Sequence, residues 1–167
     1  MDLTLELLRP NTMMNERLVE VCRHLTDDQV AATVDGTYGG IGATLVHIAN
    51  GRIGYVPRLV LDEKPDHLSE DPFPGFEIVA ERLGRGNALL EETTARASEL
   101  PEIQVSGDDP PGTGTWRMPA SLILLQAVNH ATEHRSQIAT ILTQLGIEPP
   151  AMDGWTFFFD AGHMIQV

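Results

Sequence analysis

The chain is short of lysine, cysteine, aromatic side chains and uninterrupted apolar stretches, and each shortage closes off a class of function. Lys64 is the single lysine among 11 basic residues, which face 24 acidic ones for a formal charge of -13. Nucleic-acid affinity rests on basic side chains neutralising phosphates, and anionic lipid surfaces make the same demand, so neither is an expected partner. Cys22 stands alone. No disulfide can close within the chain, an oxidising compartment is not implied, and a lone thiol in an apolar helical pattern reads as core filler rather than as a nucleophile. No apolar run approaches the roughly 18 residues that a membrane span requires. The opening MDLTLELLRP has no basic segment followed by a long apolar one, so no signal peptide is expected and the expected location is cytoplasmic. The few aromatics gather late, at Trp155, Phe157, Phe158 and Phe159, where the bundle side or a partner subunit has to cover them.

A length of 167 residues suits one domain, residues 1–167, able to bury a full core without a disulfide. Leu7, Asn11, Met14, Leu18, Val21 and Leu25 recur at steps of four and three, the stripe of a first helix that bends at Pro10 or begins after it. A second helix runs from about Ile41 to Leu61 through Leu45, Ile48, Tyr55 and Leu59, with Pro57 expected to kink it or end it early. Asp62 to Gly75 holds three prolines and five acidic residues without periodicity, which makes it a surface crossover. Val79, Leu83, Leu90, Ala97 and Leu100 mark a third helix, weakened by about 1 kcal/mol at each of Gly84 and Gly86 unless small residues there permit close helix contact. EIQVSG and GTWRM, separated by the turn-rich DDPPGTG, read as a hairpin. Pro119 then fits the first turn of a last helix that Gly146 ends, and residues 147–167 form a tail. Four helices with one long crossover describe an all-α four-helix bundle, a fold that builds its sites from side chains projecting inward on facing helices.

The chemistry concentrates in the last helix. His130 and His134 lie four residues apart, which at about 100° per residue brings the second imidazole to within about 40° of the first, one turn along. They share a stripe with Ile123, Ala127, Ile141 and Leu145, so both rings point where burial is expected. Unpartnered buried polar groups cost about 1–3 kcal/mol each, a cost that one shared metal ion removes. The spacing alone balances evenly between a metal pair and two hydrogen-bonded helix histidines. His47, in the apolar LVHIAN of the second helix, supplies a third nitrogen and tips the balance toward metal. Glu133 and Gln137 are candidates to orient the imidazoles, with a solvated helix face the more ordinary role for each. Gln126 and Asn129 are candidates to orient a substrate, with interhelical or capping hydrogen bonds the more ordinary role. His24, His67 and His163 read as surface residues. HATEH also fits the His-x-x-Glu-His pattern of inverted zinc peptidases with Glu133 as general base, but only Glu148, Asp153 and Asp160 follow as a further acidic ligand. No Glu-x-x-His repeat supports a di-iron centre.

The run NHATEHRSQIATILTQLGIEPPAMDG, Asn129 to Gly154, together with LVHIAN resembles the DinB/YfiT-like superfamily over nearly the whole chain. The resemblance implies a four-helix bundle with a long crossover between the second and third helices, and a divalent metal ion, Zn, Ni or Fe, held by His47, His130 and His134. Ser136 departs from the glycine often found there, which touches packing rather than ligation; Arg135 beside it reads as structural, paired with neighbours of Glu133 or with the tail. The resemblance further implies an enzyme acting on a small-molecule substrate: a transferase using a low-molecular-weight thiol such as mycothiol or bacillithiol, with a metal-dependent hydrolase or a non-catalytic metal- or ligand-binding bundle as alternatives. It also implies a homodimer.

Overall fold

A computed structural model of the chain describes residues 3–60, 66–96, 99–100, 102–106 and 115–166. Helix α1 covers Leu3–Cys22, α2 Asp27–Ala31, α3 Ile41–Val60, α4 Phe76–Ala95, α5 Ser121–Gln144 and α6 Gly154–Asp160; strands β1, Glu102–Ser106, and β2, Thr115–Pro119, pair antiparallel in a two-stranded sheet. The four long helices form the bundle, with α1 and α3 each packed between α4 and α5. Among the described residues no helix is long and apolar enough to cross a membrane.

Helix directions follow from which residues meet. Gly51 of α3 abuts His130 of α5 while His47 faces His134, so these two helices are antiparallel. Arg52 abuts Gly86, and Gly42 abuts Phe73 just ahead of α4, so α3 and α4 run parallel. A parallel pair needs the chain to return to its starting end, and that is the work of the crossover. Asn50 fastens the return segment to α3: its Nδ2 donates to the Leu68 carbonyl and its Oδ1 accepts from the Leu68 amide, both at 2.9 Å.

Several expectations from periodicity change. α1 begins at Leu3 and passes through Pro10 without ending there, although the proline, eighth in the helix, has no amide hydrogen to give the Glu6 carbonyl. Leu7 is 44 % exposed and Leu8 takes its place in the core. α3 continues past position 57 to Val60 instead of ending early. α4 stops at Ala95, so Leu100 lies beyond it, and Ala97 falls outside the described residues. Pro119 is not in the first turn of α5 but ends β2 opposite Glu102, a strand end where a missing amide hydrogen is tolerated. A short helix missed by periodicity, α2, is set by Thr26, whose hydroxyl accepts from the Gln29 amide while the Gln29 side chain accepts from the Thr26 amide.

The apolar core is divided. The larger part gathers Leu18, Val19 and Cys22 with Ile41, Leu45, Val46, Ile48, Ala49, Val79, Leu83, Ile138, Ile141 and Leu142; the smaller part, around Leu8, Leu90, Leu124 and Ala127, lies toward the other end of the bundle. Between them, on all four helices, come Asn11, Asn15, Arg52, Asn87 and Arg135, buried and polar. In the tail, Ile147 and Met152 pack on the larger part and α6 lies against α1, tied by an Arg17–Asp160 ion pair. Phe157 is buried, while Trp155 and Phe159 are 72 % and 71 % exposed.

Candidate metal centre

On α3 and α5 the same periodicity that buries Leu45 and Ile48, or Ala127 and Ala131, brings three imidazoles together at the seam between the helices. His47 and His130 are half-buried and His134 is buried. Ring centroids stand 4.8 Å apart for His47 and His130, 4.7 Å for His47 and His134, and 4.5 Å for His130 and His134. One nitrogen from each ring makes a group within 4.8 Å of one another, a group able to hold a metal ion. Two nitrogens bound to one ion at about 2.0–2.1 Å stand roughly 2.9 Å apart at a right angle and roughly 3.4 Å apart at the tetrahedral angle. The Nε2 atoms of His47 and His130 are 3.0 Å apart, inside that range.

The partners of the other ring nitrogens decide where the lone pairs are. His47 Nδ1 lies 3.1 Å from Glu70 Oε1, and an ionised carboxylate only accepts, so Nδ1 carries the proton and Nε2 keeps its lone pair. His134 Nδ1 lies 2.9 Å from Gln137 Oε1, which also accepts from the Tyr38 amide at 3.2 Å; the imidazole is again the donor at Nδ1 and its Nε2 is the acceptor. Both rings therefore turn a lone pair inward, the tautomer that ligation requires and the orientation that acceptors behind a metal-binding histidine impose. Gly51 lets the His130 ring lie close to α3, since a Cβ there would stand 2.9 Å from Cε1 and 3.1 Å from Nδ1 and the ring would have to shift.

Burial pushes the His47 pKa below its ordinary 6.5; Glu70 opposes the shift, and repulsion from His134 and His67 adds to it. The balance favours the neutral ring, which is the ligating form. Tyr38 closes the outer side. Its ring stacks on His47 at 4.0 Å and meets His134 edge-on at 5.2 Å, and its hydroxyl donates to Glu70, whose two oxygens lie 3.1 and 3.0 Å away. Burial and the hydrogen bond to Glu70 push the Tyr38 pKa up to about 12, so the phenol stays protonated and Glu70 serves as acceptor for two donors at once.

The structure thus brings His47, His130 and His134 together, and leaves His24, His67 and His163 exposed. His67 sits against Gly54, on the crossover. Gln137 is bound to His134 rather than lying on a solvated face. Glu133, Gln126 and Asn129 are exposed, and none belongs to the three-histidine group. Arg135 is buried and donates to Thr132 Oγ1, beside Glu133, at 2.9 Å and to Asn15 Oδ1 of α1 at 2.8 Å, rather than to the tail. Cys22 is fully buried in the larger core, its thiol pushed up to about 12 by that burial, which keeps it inert. Glu70 and Tyr38 carry no signal in the sequence: the first is one of several acids in the crossover, the second one residue in a glycine-rich turn.

The sequence matches the model of the DinB family over residues 1–162. The fold is similar to the crystal structure of a DinB-like protein from Bacillus cereus ATCC 10987, with a TM-score of 0.65 and 19 % identity over 90 % of this chain and 95 % of that one. No curated protein matches the chain.

Proposed function

This chain belongs to the DinB family, and from that premise we propose that it is a metal-dependent enzyme whose divalent ion is held by Nε2 of His47, His130 and His134. The observation that carries the reading is the pair of acceptors behind the site: Glu70 and Gln137 fix the protons of His47 and His134 on Nδ1, leaving both inward nitrogens as bases. Three neutral imidazoles leave the charge of an ion undiminished and leave it open positions, the donor set of a reactive site rather than a structural one. When bound, such an ion supplies Lewis acidity that lowers the pKa of a thiol or a water within its reach.

The protein's own residues do the rest. Gln137 and Glu70 hold the rings in register, Gly51 makes room for His130, and Tyr38 narrows the approach and keeps bulk water off His47. We read the reaction as transfer of a low-molecular-weight thiol to a small electrophilic substrate, with mycothiol the first thiol to try and bacillithiol the second.

Elemental analysis of protein purified without an affinity tag tests the site. One divalent ion per chain is expected, with at least a tenfold loss of affinity in His130→Ala and in His47→Ala; full retention in His130→Ala would sink the three-histidine assignment. Conjugation of monobromobimane to mycothiol, bacillithiol or glutathione by the metal-loaded protein then tests the reaction, with turnover expected to vanish in His47→Ala. Hydrolysis of ester or amide substrates without thiol turnover would replace transfer by metal-dependent hydrolysis.

A further inference from the structure

The polar layer that divides the core is rich in donors and poor in acceptors. Arg52 and Arg135 are 1 % and 3 % exposed, and no Asp or Glu is buried among the described residues. Asn11 serves both guanidinium groups, its Oδ1 accepting from Arg52 Nη2 and its carbonyl from Arg135 Nη1, and it is itself held by a bond from its Nδ2 to the Val128 carbonyl. Arg135 is otherwise satisfied, by Asn15 Oδ1 and Thr132 Oγ1. Arg52 is not. Among the described residues its Nε and Nη1 have no hydrogen-bond partner, and nor do Asn15 Nδ2 or either polar atom of Asn87, which follows the glycine packed against Arg52. Seven N–H hydrogens on Arg52 Nε and Nη1, Asn15 Nδ2 and Asn87 Nδ2 make up most of the unsaturated set, against one acceptor, Asn87 Oδ1.

We propose that this layer binds a small inorganic anion of halide size beside Arg52, at the waist of the bundle, on the opposite side of α3 and α5 from the histidine seam. Charge and hydrogen bonding select the guest together: two buried guanidinium groups repel one another without a buried carboxylate between them, and the unpaired atoms ask for an acceptor. The bounding side chains, Asn15, Arg52, Asn87 and Arg135, are 2 %, 1 %, 5 % and 3 % exposed, so a guest among them is shut off from bulk solvent. Burial and the repulsion of Arg135 depress the Arg52 pKa to about 10, opposed only by the charges of the exposed Glu16 and Glu91; this is still well above neutrality, so the cation persists.

The proposal is independent of the metal, and metal-stripped protein tests it. Thermal unfolding of the full chain in sodium chloride against sodium gluconate at equal ionic strength should show a rise in Tm that grows with the logarithm of chloride concentration and reaches about 3–6 °C at ten times the dissociation constant. Bromide should reproduce the rise and Arg52→Met should abolish it. Should that variant fail to fold, crystals of the wild-type protein grown in bromide decide the matter by an anomalous peak within hydrogen-bonding reach of Arg52 Nη1. Equal Tm in the two salts, or ordered water in place of bromide, overturns the proposal.

Discussion

Glu70 and Gln137 act through histidines they do not share, and each takes a single proton out of competition with a metal. Removing such an acceptor frees the ring to rotate and to change tautomer, so Glu70→Ala and Gln137→Ala are each expected to weaken metal binding by about 10–100-fold, measured by competition with a chromogenic chelator. Affinity equal to wild type in both would mean that packing alone orients the rings. His47 also makes the metal-free protein sensitive to acid. Its folded pKa lies below 6.5 while the unfolded value is near 6.5, so between the two the unfolded chain binds more protons and stability falls as the pH drops through 6.5. Urea midpoints of stripped protein between pH 7.5 and pH 5 should fall more steeply for wild type than for His47→Ala. At this scale the sequence reveals the pair four residues apart, because helical geometry ties spacing to direction. It conceals Glu70, which reaches His47 across 23 positions of chain only because Asn50 anchors the crossover.

The glycines of α4 show what an element's sequence conceals. Periodicity treats Gly84 and Gly86 alike, as two weak points in one helix. In the fold Gly84 is exposed with open space around it, whereas a Cβ on Gly86 would meet Arg52 Cβ at 2.7 Å and its carbonyl carbon at 3.2 Å. The same substitution should therefore have opposite signs two residues apart. Gly84→Ala is expected to stabilise by up to about 1 kcal/mol through helix propensity, and Gly86→Ala to destabilise by about 1–3 kcal/mol by forcing α3 and α4 apart, both read from denaturant midpoints. A loss from Gly84→Ala as large as that from Gly86→Ala would refute the close α3–α4 approach. The parallel direction of that pair is likewise a property of the crossover. The end of the last helix was legible at Gly146, but the core stripe overran α4, which stops at Ala95, the cap of α2 at Thr26 went unread, and the start of α5 was misplaced at Pro119, where pairing with Glu102 across the sheet outweighs the preference of proline for a first helical turn.

For the whole molecule, charge and composition speak directly. A formal charge of -13 with one lysine predicts no mobility shift of duplex DNA at about 150 mM salt, where only basic contacts hold a protein on phosphate; a shift at micromolar protein would contradict the reading. The match to the DinB family over residues 1–162 and the similar fold of the Bacillus cereus protein agree with the helical bundle that periodicity describes. By itself the sequence determined the helical class, the acidic surface, and the direction in which His130 and His134 point, because these follow from composition and from the 3.6-residue turn. Only the tertiary structure decided that His47 meets them, that Glu70, Tyr38 and Gln137 surround the rings, and that two arginines share a layer in which no described carboxylate is buried. Those are contacts between residues far apart in the chain, and which of them form is set by how four apolar stripes pack together.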